Sequence, residues 1–439
     1  MAQLLIAGAA AVDITPQSRQ FLFGYPHVRR YSTGVHDPLL SSALFLSDGR
    51  TPLLLVANDV IFIGRQTAHR VRECIERQTQ VPAANIMITA THTHSGPMTA
   101  DMLSNEADEA VPRTDPRYVE QLENGIVQAA LEACRGARPV QVGLGVADGS
   151  GVGTNRHDPA GPADPQVPVL LVRDLDGRTF VAAMTVCSMH PTVLHEDSTL
   201  VSGDFPAMTR RWLQEHVVGP DCPVVYHTGP CGNQSPRHVT RGNTFEEAER
   251  LGGLLGRSIA EAVRALDYTQ DLTLGCARGW VDLPARVFPP IHQAQEQLDQ
   301  TTRRLETLRR SGSDRRAVRT AECDWFGAEE GLVLARAAAN GRLDALVASL
   351  MPAEIMLMRI GRWSFVGWPG ETFVEFSLMV KQSHPDCYVI SLANGELQGY
   401  LTTEEAVRQG RYESLNSLLA SPGAGMALVS KTFELLETL

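Results

Sequence analysis

The chain has 439 residues, more than one hydrophobic core usually spans, so one large or two modest domains are expected. Hydrophobic residues at 43% and charged residues at 20% exclude a disordered chain, and no uninterrupted apolar run reaches the roughly 18 residues of a membrane span, so no stable membrane insertion is expected. The net charge of -11, with basic residues dispersed, leaves no Lys/Arg stripe for a nucleic-acid partner.

The opening run Met1–Val12 is apolar but lacks a basic leader and passes directly into Val12-Asp13-Ile14-Thr15-Pro16. It reads as a first strand rather than a signal segment, and the protein is expected to be cytoplasmic. Short runs rich in Val, Ile and Leu follow at Ser42–Leu46, Pro52–Val56, Asn85–Thr89, Val169–Val172, Phe180–Val186, Pro223–Tyr226, Glu354–Ile360 and Cys387–Ser391, as buried strands require. Between them Gly64–Gln78, Pro116–Cys134, Pro206–His216 and Thr244–Leu266 carry apolar residues at helical spacing, the last with a capping-box-like start at Thr244 and Glu247. Interleaved strands and helices predict an α/β fold of mixed sheets flanked by helices.

Residues 291–338 differ in character. Ile291, Leu298 and Leu305 form a sparse apolar seam, and after Ser311-Gly312-Ser313 a second helical stretch carries Val318, Ala321, Ala328, Leu332 and Ala335. This segment is expected to be a projecting antiparallel helical hairpin inserted in one domain spanning 1–439. It would serve as a lid, a homo-oligomer contact or decoration. The eight cysteines are scattered without a C-x-x-C pair, which argues against a zinc ribbon or a redox motif.

Five strand-end motifs carry the candidate chemistry. In Thr91-His92-Thr93-His94-Ser95-Gly96-Pro97 two imidazoles follow an apolar strand; if the strand continues through them, alternation places both on one face, where they suit zinc. Alone, the motif divides evenly between a metal site and solvated polar residues. Ala182–Met189 delivers His190 to a stop at Pro191, and a core histidine satisfied by a carbonyl is the stronger reading of it in isolation. His227–Pro236 is a Gly-rich loop whose N–H groups or Ser235 could hold an oxyanion, or an ordinary turn. Glu371 stands after Trp368-Pro369-Gly370 at an expected helix start, where the helix dipole favours a carboxylate even without metal. Tyr400 lies isolated in a polar turn.

Taken in order, these motifs resemble those of the neutral ceramidase (neutral/alkaline non-lysosomal ceramidase) family. The resemblance runs from Ala11-Val12-Asp13-Ile14-Thr15-Pro16 through Thr154-Asn155-Arg156 and Gly232-Asn233-Gln234-Ser235-Pro236 to Gly423-Ala424-Gly425-Met426. It covers the catalytic domain only, and no C-terminal β-sandwich domain is expected. The resemblance implies one zinc ion held by His92, His190, Glu371 and Tyr400. It further implies His94 beside the attacking water, and Arg156, Ser235 and Tyr400 near the scissile group. Asp37, Asp59 and Asp204 read as supporting carboxylates or, equally, as turn or cap residues. The implied reaction is hydrolysis of a linear amide. Met98-Thr99-Ala100-Asp101 replaces the Gly-rich, aromatic continuation common in the family, which shifts the expected substrate from ceramide to a small soluble N-acyl compound. Ceramide hydrolysis, ester cleavage or acyl transfer, and metal-free binding stand as alternatives.

Overall fold

The computed structural model describes residues 4–439; Met1–Gln3 of the opening run lie outside the described residues. The first strand is β1 (Ile6–Asp13). It is followed by β2 (Leu40–Ser47), β3 (Pro52–Asn58), α1 (Arg65–Thr79), β4 (Ile86–Ala90) and α2 (Pro116–Arg135). Then come β5 (Arg138–Asp148), β6 (Gln166–Asp174), β7 (Phe180–Cys187), α3 (Asp204–Leu213), β8 (Val224–Thr228) and α4 (Phe245–Val263). These eight strands form one mixed sheet in the order β8-β7-β6-β5-β1-β2-β3-β4, with Tyr268–Thr269 added to β5. The terminal pairs β3–β4 and β7–β8 are parallel and the inner pairs antiparallel.

The second half opens with β9 (Leu274–Val281) and leaves as three helices, α5 (Ile291–Arg310), α6 (Arg315–Ala339) and α7 (Arg342–Leu350). It returns as β10 (Ala353–Ile360), β11 (Trp363–Gly367), α8 (Val374–Ser383), β12 (Cys387–Ile390) and α9 (Gly423–Leu436). A four-stranded sheet, β9-β10-β11-β12, results.

Alternation along the strands explains how the two sheets stack. In β2, Ala43 and Phe45 face a core shared with Val71 and Ile75 of α1 and Ile126 and Ala129 of α2, whereas Leu44 and Leu46 face the other way. Those residues meet Met356, Met358, Phe365 and Ile390 of the second sheet. The remaining outer face of the first sheet is covered by Met208 and Leu213 of α3 and Leu251, Leu255 and Ile259 of α4. Ile355 and Leu357 of β10 pack outward beneath Phe376 and Val380 of α8 and Leu428 and Leu435 of α9. The architecture is therefore helix, sheet, sheet, helix, with period-two side-chain alternation serving two cores at once. Such double burial is why the strands read as near-continuous apolar runs.

Helices α5 and α6 contact each other in reversed order: Ala294 packs with Leu332 and Ala335, Arg304 bonds Asp324, and Arg309 bonds Glu322. All eight cysteines are unpaired. Among the described residues, no helix is long and apolar enough to cross a membrane.

Candidate metal centre

The site lies where the ends of β4, β7 and β8 meet the loops around Glu371 and Tyr400. Strand β4 stops at Ala90, so the two imidazoles of His92 and His94 are not brought together by strand alternation. Instead His92 takes φ +68°, a left-handed conformation that costs a branched or bulky residue about 1–2 kcal/mol. The turn is held by its surroundings. His92 N–H donates to the Val60 carbonyl, Thr93 Oγ1 donates to Ser202 O, and Arg30 clamps the segment through His94 O and Ser95 Oγ.

Each imidazole is oriented by one backbone carbonyl. His92 Nδ1 lies 2.8 Å from Ile61 O, His94 Nδ1 3.0 Å from Gly24 O, and His190 Nδ1 3.1 Å from Cys231 O. A carbonyl only accepts, so each Nδ1 carries a proton, and in the neutral ring Nε2 is left with the lone pair. The three histidines converge, with candidate ligand atoms within 4.8 Å of one another. Burial drives His94 and His190 well below the ordinary imidazole value, with the neighbouring His92 acting in the same direction. Both are therefore neutral near pH 7, as metal ligands must be.

Glu371 Oε2 lies 3.1 Å from His92 Nε2 and 3.7 Å from His190 Nε2. The expected helix start is displaced: Glu371–Thr372 is a short extended segment paired in parallel with Tyr400–Leu401, and α8 begins only at Val374. That pairing brings Tyr400 beside Glu371. The phenol is pushed well above its ordinary value by burial and by the Glu371 charge. Arg156 stands over the Tyr400 ring, its guanidinium 5.3 Å from the ring centroid, and pairs with buried Glu413. Burial would raise the Glu413 carboxyl, but Arg156 and His157 outweigh it and hold the group well below the usual carboxylate range. Ser235 Oγ accepts the Arg237 N–H, 3.2 Å away, and faces the same cavity.

Two adjoining chambers share Tyr25, His94, Tyr400 and Tyr412. The larger, about 770 Å³, is bordered by Arg156, His190, Ser235, Arg237, Arg319 and Arg411. The smaller, about 530 Å³, is bordered by Phe23, Ile61, Phe62, Met102, His92 and Glu371. Between them the chambers take in His92, His94, Arg156, His190, Ser235, Glu371 and Tyr400.

The aspartates stand behind the site and touch none of its three imidazoles; Asp37 Oδ2 instead lies 2.9 Å from His36 Nδ1. Asp204 accepts from Val193 N–H (3.1 Å) and Leu194 N–H (2.9 Å), fixing the loop after His190, and is itself at φ +56°. Asp59 binds Arg210 and accepts from Thr91 Oγ1 at 3.1 Å; Asp37 accepts from Gly203 N–H at 2.8 Å. They brace backbone loops, while carbonyls do the orienting expected of them.

Arg156 was legible in its motif, but Tyr25, Glu413 and the other arginines of the larger chamber, Arg237, Arg319 and Arg411, were not. Arg237 is two residues from Ser235 and within reach of that motif; Arg319 sits in α6, where nothing in its surroundings marks it.

A metal ion fits this donor set. His94 Nε2 is buried without a hydrogen-bond partner, and three lone pairs with one carboxylate are an unfavourable grouping unless a cation or proton binds among them.

Comparison with known proteins agrees with the motif resemblance. Residues 5–222, about half of the chain, match the family described as neutral/alkaline non-lysosomal ceramidase, N-terminal. A neutral ceramidase B of Dictyostelium discoideum is 24% identical over 55% of this chain and 36% of its own length. A neutral ceramidase of Mycobacterium tuberculosis is 23% identical over 94% of this chain and 74% of its own. The chain thus spans about a third of the first relative and three quarters of the second. The crystal structure of neutral ceramidase from Pseudomonas aeruginosa superposes with a TM-score of 0.74 at 18% identity, covering 99% of this chain and 74% of that one. A ceramidase complexed with C2 gives 0.73 at 17% identity. The fold is that of the neutral ceramidases, and the first half of the chain belongs to their family.

Proposed function

We propose that this neutral-ceramidase relative is a zinc-dependent hydrolase that cleaves a linear amide with water as the nucleophile. The observation carrying the reading is the convergence of three carbonyl-oriented imidazoles with Glu371, His94 Nε2 being buried and otherwise unpartnered. His92, His190 and Glu371 would hold the ion, with Tyr400 as a further oxygen donor. When bound, zinc supplies Lewis acidity toward a carbonyl and brings water's pKa down to about 7.

The chain's own groups account for the rest. His94 Nε2, neutral and aimed into the cluster, accepts the proton of the attacking water. The water oxygen bonds the acyl carbon, the C–N bond breaks, and the proton passes to the departing nitrogen, giving a carboxylic acid and an amine. Arg156, locked by Glu413, and the Tyr400 hydroxyl bear on the oxygen that gains charge. The Ser235 hydroxyl, whose oxygen already accepts the Arg237 N–H, can donate its own proton to the substrate.

Metal analysis and a substrate panel test this together. The expected result is about one zinc per chain, zinc-restored cleavage of N-acyl amides, and slower cleavage of matched esters relative to their solution reactivity. Absence of bound metal after zinc supplementation would refute the reading. Cleavage of short-chain ceramide as the best substrate would select the ceramidase alternative, which the family relationship supports.

A further inference from the structure

The larger chamber is cationic in an acidic protein. Four arginines border it, against the carboxylates of Asp324 and Glu413. Arg156 is matched by Glu413, and Arg319 by Glu196 and Glu322. Asp324 is committed to Arg304 at 2.7 Å. That leaves Arg237 and Arg411. Among the described residues, neither has a carboxylate within 4.0 Å. The Arg237 guanidinium reaches only the Cys323 sulfur, at 3.8 Å, and that of Arg411 the Gln409 side-chain Oε1, at 2.8 Å. Both are only partly exposed. Two guanidiniums without a direct ion-pair partner, Arg411 acting on Asp324 only from beyond contact, hold a local positive potential on one concave wall in a chain of net charge -11. The field is felt by a neighbour: burial first, then Arg319 and Arg237, push His195 down to about 3.

The smaller chamber differs in charge: beside Ser104, Asn105, Glu330 and Asn416 it carries one apolar patch. Phe23, Ile61, Phe62 and Met102 form that patch, and no arginine lines the chamber. His94 and Tyr400 belong to both chambers, so the reacting centre stands at their junction.

We infer that the substrate is a short-chain N-acyl amine bearing an anionic oxygen group, a carboxylate, on its amine half, with Arg237 and Arg411 as the residues that select it. The inference rests on the amide-hydrolase reading and narrows it. Guanidinium N–H groups form a fork that fits a planar carboxylate, and each charge-assisted bond discriminates strongly against a neutral isostere. The acyl chain lies among Phe23, Ile61, Phe62 and Met102, and the anion lies at the arginines. A long-chain neutral lipid would leave both guanidiniums buried beneath it without a partner, which is costly.

The test uses the zinc-loaded full chain with N-butanoylglycine, its neutral amide N-butanoylglycinamide, N-butanoyl-phosphoethanolamine and N-acetylsphingosine. The specificity constant for N-butanoylglycine should exceed that for the glycinamide by about 100-fold. Arg237→Gln and Arg411→Gln should each cut that ratio about tenfold, with thermal unfolding unchanged. Calorimetric binding of N-butanoylglycine to zinc-free protein gives a readout without turnover, and it should weaken in both variants. Equal rates for glycine and glycinamide compounds, indifferent to both variants, would overturn the anion site and leave the hydrolase standing. So would preference for N-acetylsphingosine. Arginine-dependent binding of N-butanoylglycine with no cleavage of any amide would uphold the anion site and sink the hydrolase. Faster cleavage of the phosphoethanolamine compound, with the same arginine dependence, would uphold the anion site and assign it to a phosphomonoester.

Discussion

The two walls of the site are built by different means. One wall is made of strand ends: His92 and His94 just past β4, His190 just past β7, each ring tied to a backbone carbonyl. The other is made of α6 and the Arg411–Glu413 segment, where side chains hold side chains through ion pairs. The three carbonyls, of Gly24, Ile61 and Cys231, belong to loops beside the strand ends, those of Ile61 and Cys231 fully buried, so backbone packing holds the first wall and suits it to placing metal ligands. Charged side chains can exchange partners, so the second wall is suited to accepting a charged substrate and carries more of the site's electrostatic cost. Substitutions should divide accordingly, the first wall affecting chemistry and the second affecting stability and selectivity.

The largest effect is expected at the metal. His190→Ala should remove zinc and lower the specificity constant about a thousandfold or more, with His92→Ala and Glu371→Ala alike. Elemental analysis beside amide kinetics reads this. Retention of zinc by all three variants would break the assignment of the first wall to metal binding.

Gly24→Ala is the sharper probe of how that wall is set. Gly24 has φ +120°, and a Cβ there would collide with the His94 ring while its carbonyl holds His94 Nδ1. The variant should keep its zinc and lose about 100-fold in rate, the usual result of displacing a reacting group by about an ångström. An unchanged rate would show that His94 needs no such restraint.

The contrast between the walls also explains what could be read from sequence. The strands at Pro52, Phe180 and Cys387 begin where their apolar runs begin, because burial on both faces leaves a pattern of composition. The strand-end histidines share that legibility, since a sheet delivers them to one place. The left-handed turn at His92 was not legible, because it depends on Val60, Ser202 and Arg30 from distant segments. Nor was the extended state of Glu371, which its pairing with Tyr400 imposes over the local preference for a helix start. Strands β5, β9 and β11 went unseen because Gly, Arg and Ser interrupt their apolar patterns. Of the arginine wall only Arg156 was legible, since Arg237, Arg319 and Arg411 come from separate segments that meet only in the folded chamber.

On that second wall, Glu413→Ala should strand the Arg156 charge. Arg156 and Glu413 side chains are 9% and 3% exposed, and breaking a buried pair on one side costs about 3–5 kcal/mol. Urea unfolding should show the loss, with zinc content preserved. A destabilisation below about 1 kcal/mol would mean that the pair is solvated, and the proposed distinction between walls would fail there.

The smallest effect is one of pH, also on α6. Burial lifts the Glu330 carboxyl from 4.5 to about 7, with hydrogen bonds from Asn416 and Asn105 opposing it at 2.9 and 3.0 Å. The folded state therefore holds a proton that the unfolded chain releases between these values. Where the folded form binds more protons, stability falls as pH rises, so this group's contribution is fully present below about 4.5 and declines through about 7. Glu330→Gln mimics the protonated acid and cannot release it. Relative to wild type, the variant should gain about 2 kcal/mol between pH 5 and pH 7.5, a difference that cancels titrations common to both proteins. Denaturant midpoints at the two pH values read it directly. Parallel curves would place Glu330 in contact with water, and the wall formed by α6 would then be more open than its packing implies.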